Sequence, residues 1–382
     1  MPELSLLTWL VGVAALIVGI LAGHFGWGRR WPGSLSTLHP DYLAGLDFLV
    51  TEQPDRALDM FLKLMDANAD TIETHFSLGS LYRRRGEVER AIRIHQNLLA
   101  RETLAPEHRE QALLALAQDY LRAGLLDRAE KLFQQVSEVP RLRASALDAL
   151  RGVFERQHEW QQALDVHRRL TRIDAAPPRA VAAHYYCELA ALAMEKGDDG
   201  AAGELTRRAR EEVSPFPRAD VLSAQIAERQ EDYALAVRLL RSALEEAPQL
   251  IQEELPHLMQ LVAPQAQDGV LSELVAQAES RGIDALKHLV FAAMSAGVEG
   301  RTPLREPIER VFARDPTLQA MRSGTSGTGD LGRMAREVGA LLAHAEKYHC
   351  NECGFAGRHF YWLCPACHAW DGFAPYTIVK LG

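Results

Sequence analysis

The chain has 382 residues and carries 42 Lys and Arg against 51 Asp and Glu, a net charge of −9, which argues against a broad nucleic-acid-binding face. Aromatic residues make up only 7% while Ala, Leu, Arg and Glu abound, so the bulk of the chain is expected to be helical. Those residues lose little rotamer freedom in a helix, and β-branched competitors are scarce.

The first element in chain order is apolar. Leu4 to Phe25 holds no Asp, Glu, Lys or Arg and matches the roughly 20 residues that cross a bilayer. A cleaved signal peptide is the rival reading, but Met1-Pro2-Glu3 has no cation and the apolar run exceeds an h-region. Arg29 and Arg30 follow the run, which places the C-terminal side in the cytoplasm by the positive-inside rule. Trp9, Trp27 and Trp31 sit where interfacial aromatics belong, and Ala15, Gly19 and Gly23 form a small-residue stripe suited to close helix approach. Arg29 to Leu38 is then a juxtamembrane linker of about ten residues.

Beyond the linker an internal repeat dominates. Thr74 to Arg101 carries Leu78, Gly79, Tyr82, Gly86 and Ala91 at the spacing of a helix-turn-helix tetratricopeptide repeat. Equivalent small residues fall at Ala57, Ala91, Ala129, Ala163, Ala202 and Ala236, with separations of 34, 38, 34, 39 and 34. The longer steps coincide with Ala105-Pro106 and Pro177-Pro178, where proline fits a loop or a first helical turn but not a helix interior. Phe48, Tyr82, Tyr120 and Phe154 fill the large position of the first helix, and Phe61, Phe133 and Leu240 the packing position of the second. One helical pair cannot bury its own apolar faces, so stacked pairs share a core and present a protein-binding groove. After Pro248 the repeat decays, although Leu255–Val262, Val270–Ala278, Ala285–Ala296 and Ile308–Ala313 keep helical spacing. Ser323 to Gly329 reads as a loop, and a last helix is expected from Asp330 to about Glu346.

The residues ending successive first helices are Val50, Arg84, Arg122, Arg156, Glu195 and Arg229. Arg84, Arg122, Arg156 and Arg229 form a candidate partner-binding ladder, because a guanidinium presents a bidentate fork to carboxylates. The plainer reading is that cations complement helix C-termini for about 0.3–1 kcal/mol each. Arg83-Arg84-Arg85 also offers charge to anionic lipid headgroups. Cys187 reads as a buried thiol. No G-x-x-x-x-G-K-[ST], G-x-S-x-G or H-E-x-x-H pattern occurs in the sequence, so there is no positive case for an enzyme.

The C-terminus spends four of the five cysteines in two C-x-x-C pairs, Cys350/Cys353 and Cys364/Cys367, with ten residues between them. Two such knuckles deliver tetrahedral S4 ligation to one metal ion, and thiolates alone leave Fe and Zn open. A disulfide framework needs an oxidising compartment, and a redox C-x-x-C needs a βαβ setting. His349, His359 and His368 flank the knuckles and are expected on the surface rather than among the ligands. Phe355, Phe360, Tyr361, Trp362 and Trp370 exceed what so small a metal domain needs, so some are expected to pack against the repeats.

Taken together, HPDYLAGLDFLVTEQPDRALDMF, THFSLGSLYRRRGEVERAIRIHQNLL, DYLRAGLLDRAEKLF, HYYCELA and CNECGF…FYWLCPACHAWD resemble the lipopolysaccharide assembly protein B family of Gram-negative bacteria, essentially end to end. The resemblance implies a single-pass inner-membrane protein, N-terminus periplasmic and bulk cytoplasmic, that acts as an adaptor rather than an enzyme. It implies that the family promotes degradation of the lipid A deacetylase LpxC by the membrane protease FtsH and gathers synthesis enzymes at the membrane. It also implies one iron on Cys350, Cys353, Cys364 and Cys367, with zinc the alternative. Gly354 follows the first knuckle as in free rubredoxins, but His368 follows the second where those carriers usually have glycine. That departure implies a distorted or strained knuckle and weighs against electron transfer.

The expected architecture is all-α, a tetratricopeptide-repeat superhelix with an N-terminal transmembrane helix and a small C-terminal rubredoxin-like metal-binding domain. Its segments are an anchor over 1–28, a linker over 29–38, a repeat array over 39–345 with six clear repeats to about 248, and the tetracysteine domain over 346–382. Two other classes compete with the adaptor: a redox or electron-transfer protein using the tetrathiolate centre, and a zinc-ribbon nucleic-acid binder. The second lacks a basic face around the knuckles, where only Lys347, Arg358 and Lys380 are available.

Overall fold

The computed structural model describes residues 40–51, 53, 56–57, 60, 72–173, 175, 177–314, 331–342 and 345–376. The predicted span at 4–25, the linker, Phe61 and the loop at 323–329 lie outside the described residues. Among the described residues, no helix is long and apolar enough to cross a membrane.

α1 (Pro40–Val50) is followed by helical pairs: α2 (Ile72–Arg85) with α3 (Val88–Leu99), and α4 (Pro106–Arg122) with α5 (Leu126–Ser137). The series continues with α6 (Arg143–Arg156) and α7 (Trp160–Thr171), α8 (Arg179–Glu195) and α9 (Asp199–Glu212), and α10 (Pro217–Arg229) and α11 (Tyr233–Glu246). Then come α12 (Ile251–Leu261), α13 (Gln267–Arg281), α14 (Ile283–Ser295), α15 (Arg305–Arg314) and α16 (Leu331–Leu342). The last helix ends earlier than the sequence pattern predicts, since Ala345 and Glu346 are already non-helical.

The chain forms two compact units, one up to Leu142 and one from Arg143 onward. In both, the alanine period marks true contact points: Ala57, Ala91, Ala129, Ala163, Ala202 and Ala236 are all 0% exposed, so no larger side chain fits there without moving a neighbour. Tyr82, Tyr120, Phe154, Phe133 and Leu240 are buried as well.

A second periodic feature joins the two helices of each pair. Gly86, Gly124, His158, Gly197 and Glu231 all have positive φ, at the same separations as the alanines. After each, the next N–H reaches back to a carbonyl five residues earlier, Glu87 to Tyr82, Leu125 to Tyr120, Glu159 to Phe154, Asp198 to Ala193 and Asp232 to Ala227, each at 2.9 Å. This is the left-handed C-cap that satisfies the carbonyls a helix end leaves open. The same turn recurs at Gly297, where Val298 N–H meets Ala293 O at 3.0 Å, so α14 ends as the clear first helices do. Asp198 and Asp232 also cap the following helices through their side chains, accepting from Ala201 and Leu235 N–H.

Two close crossings fix the packing. A Cβ on Gly79 of α2 would lie 2.5 Å from the His95 ring of α3, and one on Gly339 of α16 would lie 2.7 Å from the Met294 carbonyl of α14. In the second unit one continuous core runs from Val221 on α10 to Leu342 on α16, and Phe360 and Trp362 of the C-terminal domain pack on it.

Among the described residues, that domain is the one departure from helical structure. β1 (Tyr348–Cys350), β2 (Ala356–Gly357) and β3 (Phe373–Pro375) form an antiparallel sheet in the order β2-β1-β3, pairing Tyr348 with Gly357 and Cys350 with Phe373. Its small core is Tyr348, Cys350, Cys364 and Phe373, half of it cysteine, too little apolar area to hold so short a sheet alone.

Candidate metal centre and its seat on the helices

Each C-x-x-C folds into the same knuckle. Cys350 N–H donates to Phe355 O at 2.8 Å and Gly354 N–H to Cys350 O at 2.8 Å; fourteen residues on, Cys364 N–H donates to Ala369 O at 2.9 Å and His368 N–H to Cys364 O at 2.9 Å. The residue closing each knuckle is left-handed, Gly354 at φ 76° and His368 at φ 59°. The His368 knuckle is therefore not distorted; it accepts a strain of about 1–2 kcal/mol.

The knuckles face each other so that all four Sγ atoms lie within 4.8 Å of one another. Cys350 and Cys367 are 3.7 Å apart across the centre, as are Cys353 and Cys364. A disulfide would need about 2.05 Å. A tetrahedron of thiolates about 2.3 Å from one ion has edges of about 3.8 Å, so the donor set fits a tetrathiolate metal site. Backbone N–H groups of Phe355 and Ala369 point at the sulfurs of Cys353 and Cys367, and those of Ala366 and Cys367 at Cys364. Burial alone raises the Cys364 thiol, but those two N–H groups and the neighbouring thiols outweigh it and bring it down to about 7, towards the thiolate a metal needs. Cys350 and Cys364 are buried, Cys353 and Cys367 exposed.

None of the flanking histidines joins the four thiols. His359 is exposed, as the sequence implies. His349 and His368 are half-buried instead of lying on the surface, and His349 stacks on Tyr376 at 4.6 Å.

Of the surplus aromatics, Phe360, Trp362 and Trp370 meet the helices. Trp370 lies flat on His184 of α8, centroids 4.5 Å apart and planes 13° apart, with Trp160 and Tyr185 edge-on at 6.1 and 6.0 Å. Its indole N–H donates to Glu155 Oε1 at 2.9 Å. Glu155 is 5% exposed, a buried carboxylate that would be costly alone; Arg151 Nη1 at 2.7 Å and Tyr185 OH at 2.6 Å complete its shell. Burial, with Glu155 beside it, raises the Tyr185 phenol, so it stays a donor.

The next residue adds a polar latch. Asp371 Oδ2 lies 2.9 Å from His184 Nε2, while Arg218 Nη1 donates to His184 Nδ1 at 3.2 Å and Nη2 to Glu188 Oε1 at 2.6 Å. Burial lowers the His184 pKa, and a neutral ring with its proton on Nε2 satisfies both partners. The Arg218 guanidinium also faces the Trp362 and Trp370 rings at 5.9 and 5.6 Å. Phe355 and Tyr361 do not join the seat and remain 38% exposed.

Sequence reasoning finds the cysteines but misses Glu155, Tyr185, His184 and Arg218. The one available signal is chemical: His184 and Glu155 sit on repeat helices otherwise given to apolar packing. Cys187 is buried as expected, and burial pushes its thiol up to about 12.

The arginine ladder separates into different uses. Arg229 donates to Met194 O at 2.7 Å and Asp199 Oδ1 at 3.1 Å, the helix-end role of the plainer reading. Arg156 ends α6 beside His368 of the metal domain. Arg84 and Arg122 are exposed at the ends of α2 and α4. Of the arginine triplet, Arg83 pairs with the buried Asp119 at 2.7 Å and Arg85 with Glu87 at 3.5 Å, which leaves little of it for a lipid surface.

Helical pairs closed by one repeated turn, with a two-knuckle tetrathiol domain seated on them, define a tetratricopeptide-repeat protein with a rubredoxin-type metal-binding domain. The tetratricopeptide repeat model matches residues 70–141, and the rubredoxin metal binding domain model matches residues 348–375. Lipopolysaccharide assembly protein B of Escherichia coli (strain K12) is 31% identical over 372 residues, covering 93% of this chain and 96% of that protein. The Haemophilus influenzae protein of the same name is 27% identical over 387 residues, covering 94% and 96%. The chain belongs to the lipopolysaccharide assembly protein B family. Among solved structures, the C-terminal part of a TPR repeat-containing protein from Cytophaga hutchinsonii covers 75% of this chain and 100% of that chain at 13% identity, with a TM-score of 0.40.

Proposed function

We propose that this protein is a membrane-anchored, non-catalytic adaptor that lowers lipopolysaccharide synthesis by bringing the deacetylase LpxC to the membrane protease FtsH. The family relation supports the pathway. The observation that carries the adaptor reading is the seat of the metal domain: Trp370 and Asp371, three and four residues beyond Cys367, are bound into α6, α8 and α10. A metal domain held in this way serves as a structural clasp.

In this reading Cys350, Cys353, Cys364 and Cys367 hold one iron, residues 4–25 anchor the chain in the inner membrane, and the repeats hold partners on its cytoplasmic side. Tethering client and protease to one surface replaces a bimolecular meeting with a local one, with effective concentrations up to about millimolar for short linkers. The test is a pull-down from membranes with the intact chain beside a Cys364→Ser/Cys367→Ser variant, with client lifetime followed after synthesis is stopped. Recovery of protease and deacetylase by the intact chain alone, with a longer-lived client in the variant, is the expected result. An unchanged client lifetime would overturn the metal-dependent adaptor.

A further inference from the structure

Beside the metal domain, the second unit keeps a cavity that the adaptor reading does not use. It measures about 280 Å³ and lies among the end of α11, the start of α12, the C-terminal half of α13 and the first turns of α14. Leu244, Ile251, Leu274, Ala278 and Leu289 make its walls apolar, and all five are buried. Pro375, at the end of β3, supplies a further wall. β3 pairs with β1 through Pro375 and Tyr348 and through Phe373 and Cys350, so this wall belongs to the same sheet as a metal ligand.

Two polar side chains on the lining have capacity to spare. His288 on α14 is half-buried, and the Gln252 amide donates to its Nδ1 at 3.1 Å. The ring proton then sits on Nε2, a donor with no partner among the described residues. Burial lowers the His288 pKa, with Asp284 opposing and Lys287 reinforcing, so the ring is neutral near pH 7. Arg281 ends α13, is exposed, and donates to the Glu245 backbone carbonyl. The Glu245 carboxylate accepts from the Gln277 amide at 2.9 Å instead, and among the described residues no carboxylate balances Arg281.

These features narrow the ligand. The apolar walls offer water no partners and favour hydrocarbon. A neutral donor and a guanidinium together favour an acceptor that carries negative charge, and a carboxylate meets both. A water takes up about 30 Å³ in the liquid, so the cavity holds about nine or ten such volumes, the size of a carboxylate of about eight carbons.

We propose that the cavity bounded by α11 to α14 and Pro375 binds a medium-chain aliphatic carboxylate of about eight carbons, with its chain against Leu244, Ile251 and Leu274 and its carboxylate held by Arg281 and the His288 Nε2–H. Because β3 supplies one wall, the bound ligand also holds the metal domain in place. Whatever favours the filled cavity favours the folded sheet, and the coupling runs both ways. The inference goes beyond the adaptor reading and does not depend on which partners the repeats hold.

The test uses the metal-loaded full chain in lipid nanodiscs, titrated calorimetrically against an empty-nanodisc blank. Octanoate should bind about tenfold more tightly than butanoate, which loses apolar contact, than dodecanoate, which exceeds the volume, and than octanol, which lacks the charge. Saturating octanoate should slow metal loss to a chelator by roughly threefold or more. Arg281→Gln should weaken octanoate by about fivefold and leave octanol unchanged. Arg281 is exposed, so circular dichroism should not change. Ala285→Leu, which fills the cavity from α14, should abolish both the binding and the protection of the metal. Affinity that rises steadily with chain length, or that survives Arg281→Gln, would overturn the site. Binding that leaves metal loss unchanged would overturn the coupling. A chain ending at Tyr376 that binds octanoate far more tightly than the intact one would identify residues 377–382 as the occupant and overturn the ligand assignment.

Discussion

The two units use one repeat surface in opposite ways. In the first, the face formed by α2 and α4 is an open groove with an acid at one end and cations at the other. In the second, the equivalent positions on α8 and α10, with Glu155 on α6, are covered by the chain's own metal domain. The buried alanines and the left-handed turns are common to both, so the difference lies in a few surface positions and not in the scaffold. Identical packing thus carries an intramolecular clasp in one place and leaves an open groove in another.

The strongest way to break the comparison is to remove the metal. Four thiols whose sulfurs lie within 4.8 Å need an ion to stay together, and the sheet has little core beyond them. Chelation should unfold residues 346–376 and expose α6, α8 and α10, while α2 to α5 keep their protection; hydrogen exchange reads both.

Trp370→Ala should come next. It removes the stack on His184 and the indole donor to the buried Glu155, and should destabilise the second unit by about 3 kcal/mol in urea unfolding. Gly79→Ala makes the opposite cut. A Cβ 2.5 Å from the His95 ring should force α2 and α3 apart at a loss of about 1–3 kcal/mol, confined to the first unit and its groove.

Acid should loosen the covered face. Burial, opposed by Asp371 and reinforced by Arg218, holds the His184 pKa below its ordinary value, with Glu188 the remaining charged neighbour. A depressed histidine means that the unfolded chain binds more protons, so this contribution is complete above about pH 6.5 and declines as pH falls towards the folded value. A His184→Gln variant should flatten that part of a stability profile. The smallest effect is His368→Gly, which relieves the left-handed strain at φ 59° and should stabilise the knuckle by about 1 kcal/mol, read as slower metal loss to a chelator.

Most of the scaffold was legible in the sequence because tetratricopeptide packing tolerates only a small residue where helices cross; Ala91, Ala129 and their equivalents mark those crossings. The metal ligands were legible because two knuckles need fixed local spacing. The turns at His158 and Glu231 were not, since neither residue announces a left-handed backbone. The turn at Gly297 was hidden because no alanine at the repeat spacing follows it. The seat of the metal domain was least legible of all: Trp370 meets a residue 215 positions earlier in Glu155 and Asp371 one 187 positions earlier in His184, and no local pattern connects them. The aromatic excess near the C-terminus indicated that a seat exists but not where.

The most direct test of the clasp is hydrogen exchange on the full chain, wild type beside Trp370→Ala, with the metal site loaded in both. The prediction is that α6, α8 and α10 lose protection together with β1 to β3 in the variant, while α2 to α5 exchange as in the wild type. A variant in which the helices of the second unit keep their full protection while the sheet opens alone would contradict it.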